Sequence, residues 1–348
     1  MEGAARDWRW SVLAYALALA LTLAVTTVII VALGHDPIPA YRTALKDSVG
    51  TIGGLSQTLN RMTPLLLASL AFALGFKAGA FNIGMDGQIY AGAILATGVG
   101  FLLADLEVGR IVGLPVALLA AGVGGALWIL LPAVMRVVWG VNEIFTTVML
   151  NFVATLLVEY LATGPWNDPM AGEAITLPVP RGVTLPMLLA RGGAHSGVIL
   201  ASIVALAAWA FLYRTRAGYE LRAVGSNPLA AQMAGISLRR VHLLALLLSG
   251  AAAGLGGGIE VAGVHHRLLL GLTPDYGIMG ILIAVLAGFH PVLLIPANFA
   301  FAVLVAASDS LQRTVGFPSA AVFMLQALVV IIVIGVQALQ QRRRRFVI

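Results

Sequence analysis

Long apolar runs separated by short polar segments dominate this chain. They lie at 12–33, 62–76, 81–103, 111–135, 142–163, 196–213, 241–264, 275–289, 291–309 and 318–340. A helix crosses the hydrocarbon core of a bilayer with about 20 mostly apolar residues, so the pattern predicts about ten transmembrane helices. One run is short (275–289) and one is rich in glycine (81–103), which predicts broken or tilted helices. Irregular backbone at membrane depth persists only where protein or a watery cavity satisfies it. The first run is longer than a signal-peptide core of about 7–15 residues. It reads as a retained anchor, with Trp8 and Trp10 at the interface. The stretch 34–60 is mixed and polar, with Pro37, Pro39, Arg42, Lys46 and Asp47, and has room for a short interfacial helix.

Composition agrees with this pattern. Of 348 residues, 60% are apolar and 10% charged, against about 25% charged in a soluble domain. An ordinary soluble enzyme, a disordered chain and a small disulfide scaffold are excluded. There is no cysteine, so thiolate metal sites and cysteine nucleophiles are excluded as well. The length suits one polytopic transmembrane domain over 1–348, with no room for a separate catalytic domain. The net charge of +6 falls in short clusters between apolar runs, as cytoplasmic loops would have it, and forms no basic face for nucleic acid.

Orientation follows from the same charges. With the N-terminus inside and ten alternating spans, 13 Lys and Arg fall inside, among them Lys77, Arg136, Arg214, Arg216, Arg222, Arg239, Arg240 and the four arginines at 342–345. Eight fall outside. Both termini are therefore expected in the cytoplasm, which requires an even number of spans. The expected fold class is an all-α integral membrane protein of about ten transmembrane helices, some short or broken. Two loops are long: an extracellular one at about 164–195, rich in Pro and Gly, and a cytoplasmic one at about 214–240.

Four segments carry candidate chemistry. In the inner loop, Asn227-Pro228 is a helix-start signal, and Gly235 suits the C-terminal cap. A short helix of about two turns is expected between them. It is either part of a solvated loop or a docking helix for a cytoplasmic partner, with small residues Ala230, Ala231 and Ala234 allowing close approach. The second segment, 77–93, brings Asn82, Asp86 and Gln88 into an apolar run interrupted by Gly84 and Gly87. An ionisable group at membrane depth marks a pathway or a partner; alternatively Asp86 caps a helix at the interface near Lys77. The third places Asn142, Glu143, Thr146, Thr147 and Asn151 on an otherwise apolar helix, for interhelical hydrogen bonds or a polar stripe along a pathway. The fourth, Gly250-x-x-x-Gly254-x-x-x-Gly258, makes one flat face for helix packing. Asp275 and Asp309 fall at predicted outer ends, where solvation accounts for them.

Other chemistry is not encoded. His265-His266-Arg267 puts two histidines on different faces of a helix, a poor chelate, and no metal site is expected. There is no Gly-x-Ser-x-Gly elbow and no phosphate-binding Gly-x-x-x-x-Gly-Lys-[Ser/Thr] loop. Hydrolysis of ATP by this chain through that machinery is excluded.

Three segments carry a family resemblance: Phe81-Asn-Ile-Gly-Met-Asp-Gly-Gln88, Asn142-Glu-Ile-Phe-Thr-Thr-Val-Met-Leu-Asn151 and Arg222-Ala-Val-Gly-Ser-Asn-Pro-Leu-Ala-Ala231. Together they resemble the permease subunits of bacterial ABC importers, in the ribose/branched-chain amino acid permease superfamily. The first two look like its nucleoside (simple-sugar-annotated) branch; the Asp-Leu-Ser-x-Gly form of ribose-type permeases is missing. The resemblance covers about 80–310.

It implies a transport subunit, not an enzyme, in the bacterial plasma (inner) membrane. It implies a second permease subunit, identical or related, two cytoplasmic ATPase subunits that bind MgATP, and an extracellular solute-binding protein. No cofactor is expected on this chain itself. Arg222, Gly225, Asn227, Pro228, Ala230, Ala231 and Gly235 become candidate ATPase contacts. Asn82, Asp86, Gln88, Asn142, Glu143, Thr146 and Asn151 become candidates for lining the translocation pathway. The implied mechanism is alternating access: ATP closes the ATPase pair and the permease pair rocks. Scattered Asn, Gln and Thr with few buried charges suit a neutral polar solute such as a nucleoside or a pentose. A different class, an ion-driven secondary transporter, would instead rely on Asp86, Glu143 or Glu159 and need no ATPase.

Overall fold

The computed structural model describes residues 23–104, 108–189 and 192–316, with isolated positions beside these stretches. The start of the first apolar run with Trp8 and Trp10, most of the run at 318–340, and the arginines at 342–345 lie outside the described residues. The described chain is almost wholly helical. Among the described residues, seven helices are long and apolar enough to cross a membrane: α3 (Ile52–Phe76), α4 (Met85–Ala104), α5 (Arg110–Trp139), α6 (Glu143–Thr163), α7 (Gly197–Arg214), α10 (Leu238–Glu260, continued by a π-turn Val261–His265) and α12 (Pro291–Val315). Shorter helices fill the intervals: α1 (Leu23–Ala32), α2 (Pro37–Leu45), α8 (Arg216–Ser226), α9 (Pro228–Met233) and α11 (Tyr276–Leu286).

Two expected runs differ from what forms. The run at 62–76 belongs to a helix that starts ten residues earlier, at Ile52. Its polar residues are hidden by local bonds: Ser56 Oγ donates to Ile52 O (2.7 Å) and Thr63 Oγ1 to Leu59 O (3.0 Å). The run at 275–289 is not a full span. Asp275 and Phe289 both take positive φ (57° and 58°), and the 11 residues of α11 between them reach only about 16 Å at 1.5 Å per residue.

The chain divides into two compact units, residues 1–58 with 300–348, and residues 59–299. In the first, Ile30 of α1, Ala40 and Ala44 of α2 and Leu311 of α12 form a small core. Asp36 caps α2 by accepting from Ile38 N (2.9 Å), and Ser310 Oγ donates to Asp47 Oδ2 (2.6 Å).

In the second unit, α4 and α10 and the inner part of α3 are mostly buried, while α5, α6 and α7 turn large apolar side chains outward, such as Leu127, Phe152 and Ile203. That division suits a bundle with a lipid-facing rim. Glycine sets the helix spacing. A Cβ on Gly254 would overlap Ala121 O and stand 2.7 Å from Gly125 Cα. One on Gly250 would meet Ile129, and one on Gly258 would overlap the Ala121 methyl. On its other side Gly257 rests on the Ile89 carbonyl of α4. Gly250, Gly254 and Gly258 thus lie where α10 meets α5, at backbone contact distance.

The segment 164–195 is packed, not loose. Its short strands β1 (Met187–Leu189) and β2 (Ala194–His195) pair antiparallel. It runs beside 262–269 through Thr176 N to Leu268 O (3.0 Å), Val179 N to His266 O (2.9 Å) and Leu185 N to Ala262 O (2.8 Å). Arg267 holds Asp168 at 2.8 Å. Asn60 of α3 pins the end of the segment, donating to Gly193 O (2.9 Å) and accepting from His195 N (3.1 Å). Burial, and then the neighbouring His266, lower the His195 imidazole to about 4.

Candidate functional site

Two regions gather the candidate residues. The first is the segment between α3 and α4, residues 77–84, with the first turn of α4. Asn82 and Gln88 are 0% and 1% exposed and bond each other twice: Asn82 Nδ2 to Gln88 Oε1 (2.8 Å) and Gln88 Nε2 to Asn82 Oδ1 (2.8 Å). Asn82 also donates to Ser249 Oγ of α10 (2.8 Å), and Ser249 donates to Ala71 O of α3 (2.6 Å). The amide pair is therefore shut among three helices. A buried network with every member bonded rigidifies its surroundings.

The α6 residues serve this same segment. Asn142 is the exposed N-cap of α6 and accepts from Ile144 N (2.9 Å). Glu143 turns inward, accepts from Phe81 N (2.9 Å) and pairs with Arg136 of α5. Arg136 donates in turn to Gly79 O (2.9 Å). Thr146 Oγ1 returns to its own helix at Glu143 O (3.1 Å). Asn151 grips both sides of the turn into α4, accepting from Gly87 N (2.8 Å) and donating to Ile83 O (3.1 Å).

Asp86 points the other way. Its Oδ1 accepts from Thr273 Oγ1 and from Gly277 N (2.9 Å), at the N-terminus of α11. A carboxylate is well placed at the positive end of a helix. Tyr90, one turn further along α4, accepts from Gly271 N (3.2 Å). The irregular stretch 266–275 thus descends from the packed segment 164–195 to Asp86 before α11 begins. Asp86 stays partly open, and Gly271, Pro274 and Asp275 are exposed beside it. Tyr90 and Thr273 escape a reading of the sequence. Asp275 is exposed, as its expected solvation requires; what the sequence does not show is its nearness to Asp86, 189 positions away.

The second region is the chain between α7 and α10. The expected loop holds two helices, not one. Thr215 caps α8 by accepting from Gly218 N (3.0 Å). Leu221 and Val224 bury its inner face, and Arg222 donates to Leu212 O (2.9 Å) beneath the Tyr213 ring. Gly225 seats α8 on the 77–84 segment: its Cβ would overlap Lys77 O and lie 3.3 Å from Ala78 Cα. Burial, and then the Arg222 charge, lower the Lys77 ammonium pKa. Asn227 caps α9 by accepting from Ala230 N (3.0 Å), with Pro228 in the first turn. Gly235 takes φ 81° just past its end. α9 is six residues, shorter than two turns. Ala231 faces inward, whereas Leu229 (70% exposed) and Met233 (84%), one turn apart, face out with Ala230.

The geometry is that of a membrane bundle with a capped helix at one end and a broken helix inside. Known proteins are similar to it in sequence. The family described as "Branched-chain amino acid transport system / permease component" matches residues 54–334. A glucose ABC transporter permease protein of Haloferax volcanii is 39% identical over 324 residues, covering 89% of this chain and 84% of the relative. A nucleoside ABC transporter permease protein of Lactococcus lactis is 31% identical over 287 residues, covering 80% and 78%. A guanosine ABC transporter permease protein of Bacillus subtilis is 29% identical over 327 residues, covering 93% of both chains. The chain belongs to the branched-chain amino acid transport system permease family, as a multi-pass transport subunit of an ABC system and not an enzyme.

Proposed function

We propose that this chain imports a nucleoside, or a similar neutral sugar-containing solute, by alternating access. The supporting observation is the break at α11. A half-length helix that starts beside Asp86, next to exposed Gly271 and Asp275, is the arrangement by which many transporters present backbone and side-chain polar groups to a solute at depth. The pathway then passes the Asp86–Thr273–Asp275 face. Asn82, Gln88, Glu143 and Asn151 act behind it as supports, and Asn142 and Thr146 sit at the mouth on α6. Relatives that carry nucleosides, guanosine and glucose support a polyhydroxylated solute without net charge.

The cytoplasmic partner is an ATPase pair that binds MgATP and seats on α8–α9, with Leu229, Ala230 and Met233 as the outward surface and Arg222, Gly225, Asn227, Pro228, Ala231 and Gly235 building it. The remaining assembly is a second permease subunit and a solute-binding protein on the outer face. Ten spans with both termini inside, in the plasma (inner) membrane of a bacterium, complete the reading. The charge count and the seven long helices with the short α1 and α11 support it.

The test is uptake of labelled nucleosides, pentoses and glucose in cells expressing the full system. Uptake is expected to vanish when the ATPase carries a dead Walker-A lysine and to survive collapse of the proton gradient with ATP maintained. Uptake indifferent to the ATPase and lost with the gradient overturns the proposal. Asp86→Asn, which keeps one acceptor for Gly277 N and Thr273, is expected to lower the uptake rate and shift the solute preference.

A further inference from the structure

Eleven residues, 77–87, run from the contact with α8 through Asp86, and almost every one is held. At the start, Gly225 of α8 touches the Lys77–Ala78 backbone with no side chain between them. Next, Gly79 O accepts from Arg136 (2.9 Å) and Phe81 N donates to Glu143 (2.9 Å), and these two side chains pair with each other. Asn82 is locked to Gln88 and Ser249. Asn151 takes Ile83 O (3.1 Å) and Gly87 N (2.8 Å). At the far end Asp86 holds the N-terminus of α11 through Gly277 N (2.9 Å). The other end of α11 is tied to the same segment by rings. Phe289 stacks on Phe76 at 4.0 Å, and Phe81 meets Phe76 edge-on at 5.4 Å. A displacement of α8 therefore cannot be absorbed as slack in residues 77–87. Packed elements shift as units between discrete arrangements.

We propose that residues 77–87 are the transmission element of this transporter, carrying movement of α8–α9 to Asp86 and the broken helix α11, with Arg136 and Glu143 as positioning residues. Gly225 is the point where the movement enters. The ion pair ties the segment to the inner ends of α5 and α6, and Pro132, between Leu127 and Arg136, is the kink point that lets this end of α5 move apart from the rest of the helix. This rests on the ATPase seating at α8–α9 proposed above.

The chain has no cysteine, so introduced cysteines are its only spin-label sites when the complete transporter is reconstituted with cysteine-free partner subunits. Tyr219→Cys on α8 is paired with Phe81→Cys in the segment, and separately with Leu127→Cys on α5; all three positions are exposed. Between nucleotide-free and vanadate-trapped states, the 219–81 distance is expected to stay constant while the 219–127 distance changes. A 219–81 distance that changes, or no change in either pair, overturns the proposal. Glu143→Gln gives the functional arm, since it keeps an acceptor for Phe81 N and loses the charge facing Arg136. Solute moved per ATP hydrolysed is expected to fall roughly 3- to 30-fold, the range for single positions in a coupling network, with hydrolysis retained. A ratio equal to wild type overturns the positioning role, and the distance measurement stands whether or not that variant folds. If the unmodified complex shows no ATP-dependent uptake, the functional reading fails instead.

Discussion

Gly254→Ala is the sharpest test of how α10 is held. The added methyl would overlap Ala121 O and stand 2.7 Å from both Cα and N of Gly125. Carbon atoms rest at about 3.5–4.0 Å, so α5 and α10 must part by about 1 Å. Overpacking of this kind costs about 1–3 kcal/mol. The control lies two residues along the same helix. A methyl at Gly256 meets Leu67 Cβ at 3.5 Å, an ordinary contact. Both substitutions bring the same helix-propensity gain, so their difference isolates the packing term. The assay is unfolding of the purified subunit in mixed micelles, followed by tryptophan fluorescence; Trp128 of α5 lies 3.0 Å from the Cβ position of Gly87 and reports on the neighbouring α4–α5 contact. Gly254→Ala is expected to be less stable than Gly256→Ala by about 1–3 kcal/mol. Equal stability of the two, within about 0.5 kcal/mol, refutes the claim that backbone contact at this position sets the helix spacing.

Further outcomes follow from other sites. Asn82→Ala strands the buried Gln88 amide and the Gly84 N–H, which both bond to the Asn82 side chain, and is expected to cost about 1–3 kcal/mol, measured in the same unfolding assay; Asn151→Ala tests the neighbouring grip. His195 has a pKa lowered from 6.5 to about 4, so the unfolded chain binds the proton first as pH falls. Stability is expected to be full above 6.5 and to decline toward 4, by up to about 3 kcal/mol, and His195→Asn should flatten that slope in a pH series of unfolding midpoints. Asn227→Ala removes the cap of α9 and is expected to destabilise that helix by about 1 kcal/mol, read as weaker ATPase binding to the permease in a pull-down titration. Arg267→Ala breaks a partly exposed pair with Asp168 and is expected to change stability by less than about 1 kcal/mol.

What the sequence shows depends on how local each cause is. The long spans are legible because a run of apolar residues is itself the cause of a membrane helix. The Asn227-Pro228 start of α9 is legible because its cap is made three residues away. α8 is not, since only Leu221 and Val224 mark its inner face, between arginines. It is fixed by Gly218 against Phe211–Leu212 and by Gly225 against Lys77, contacts that no local pattern records. The early start of α3 is hidden by hydroxyls that look like loop chemistry until they turn back onto their own helix. Asn82, Asp86 and Gln88 stand out in an apolar run, yet their directions do not. Two face each other and Ser249, 167 residues from Asn82, and the third faces Thr273 and Gly277.

The packed segment 164–195 sets a clock on folding. Its backbone and Thr176 bond to residues 262–269, with Thr176 and Leu268 separated by 92 positions. A ribosome adds about 5–20 residues per second, so these partners follow after about 5–20 s, with α7 and α10 inserted in the meantime. During that interval the prolines and glycines of the segment stand without the stretch 262–269 that later bonds to them. Proteolysis during synthesis should therefore cut between Thr163 and Gly197 in chains stalled before residue 262, and spare the same bonds in chains that have passed 269.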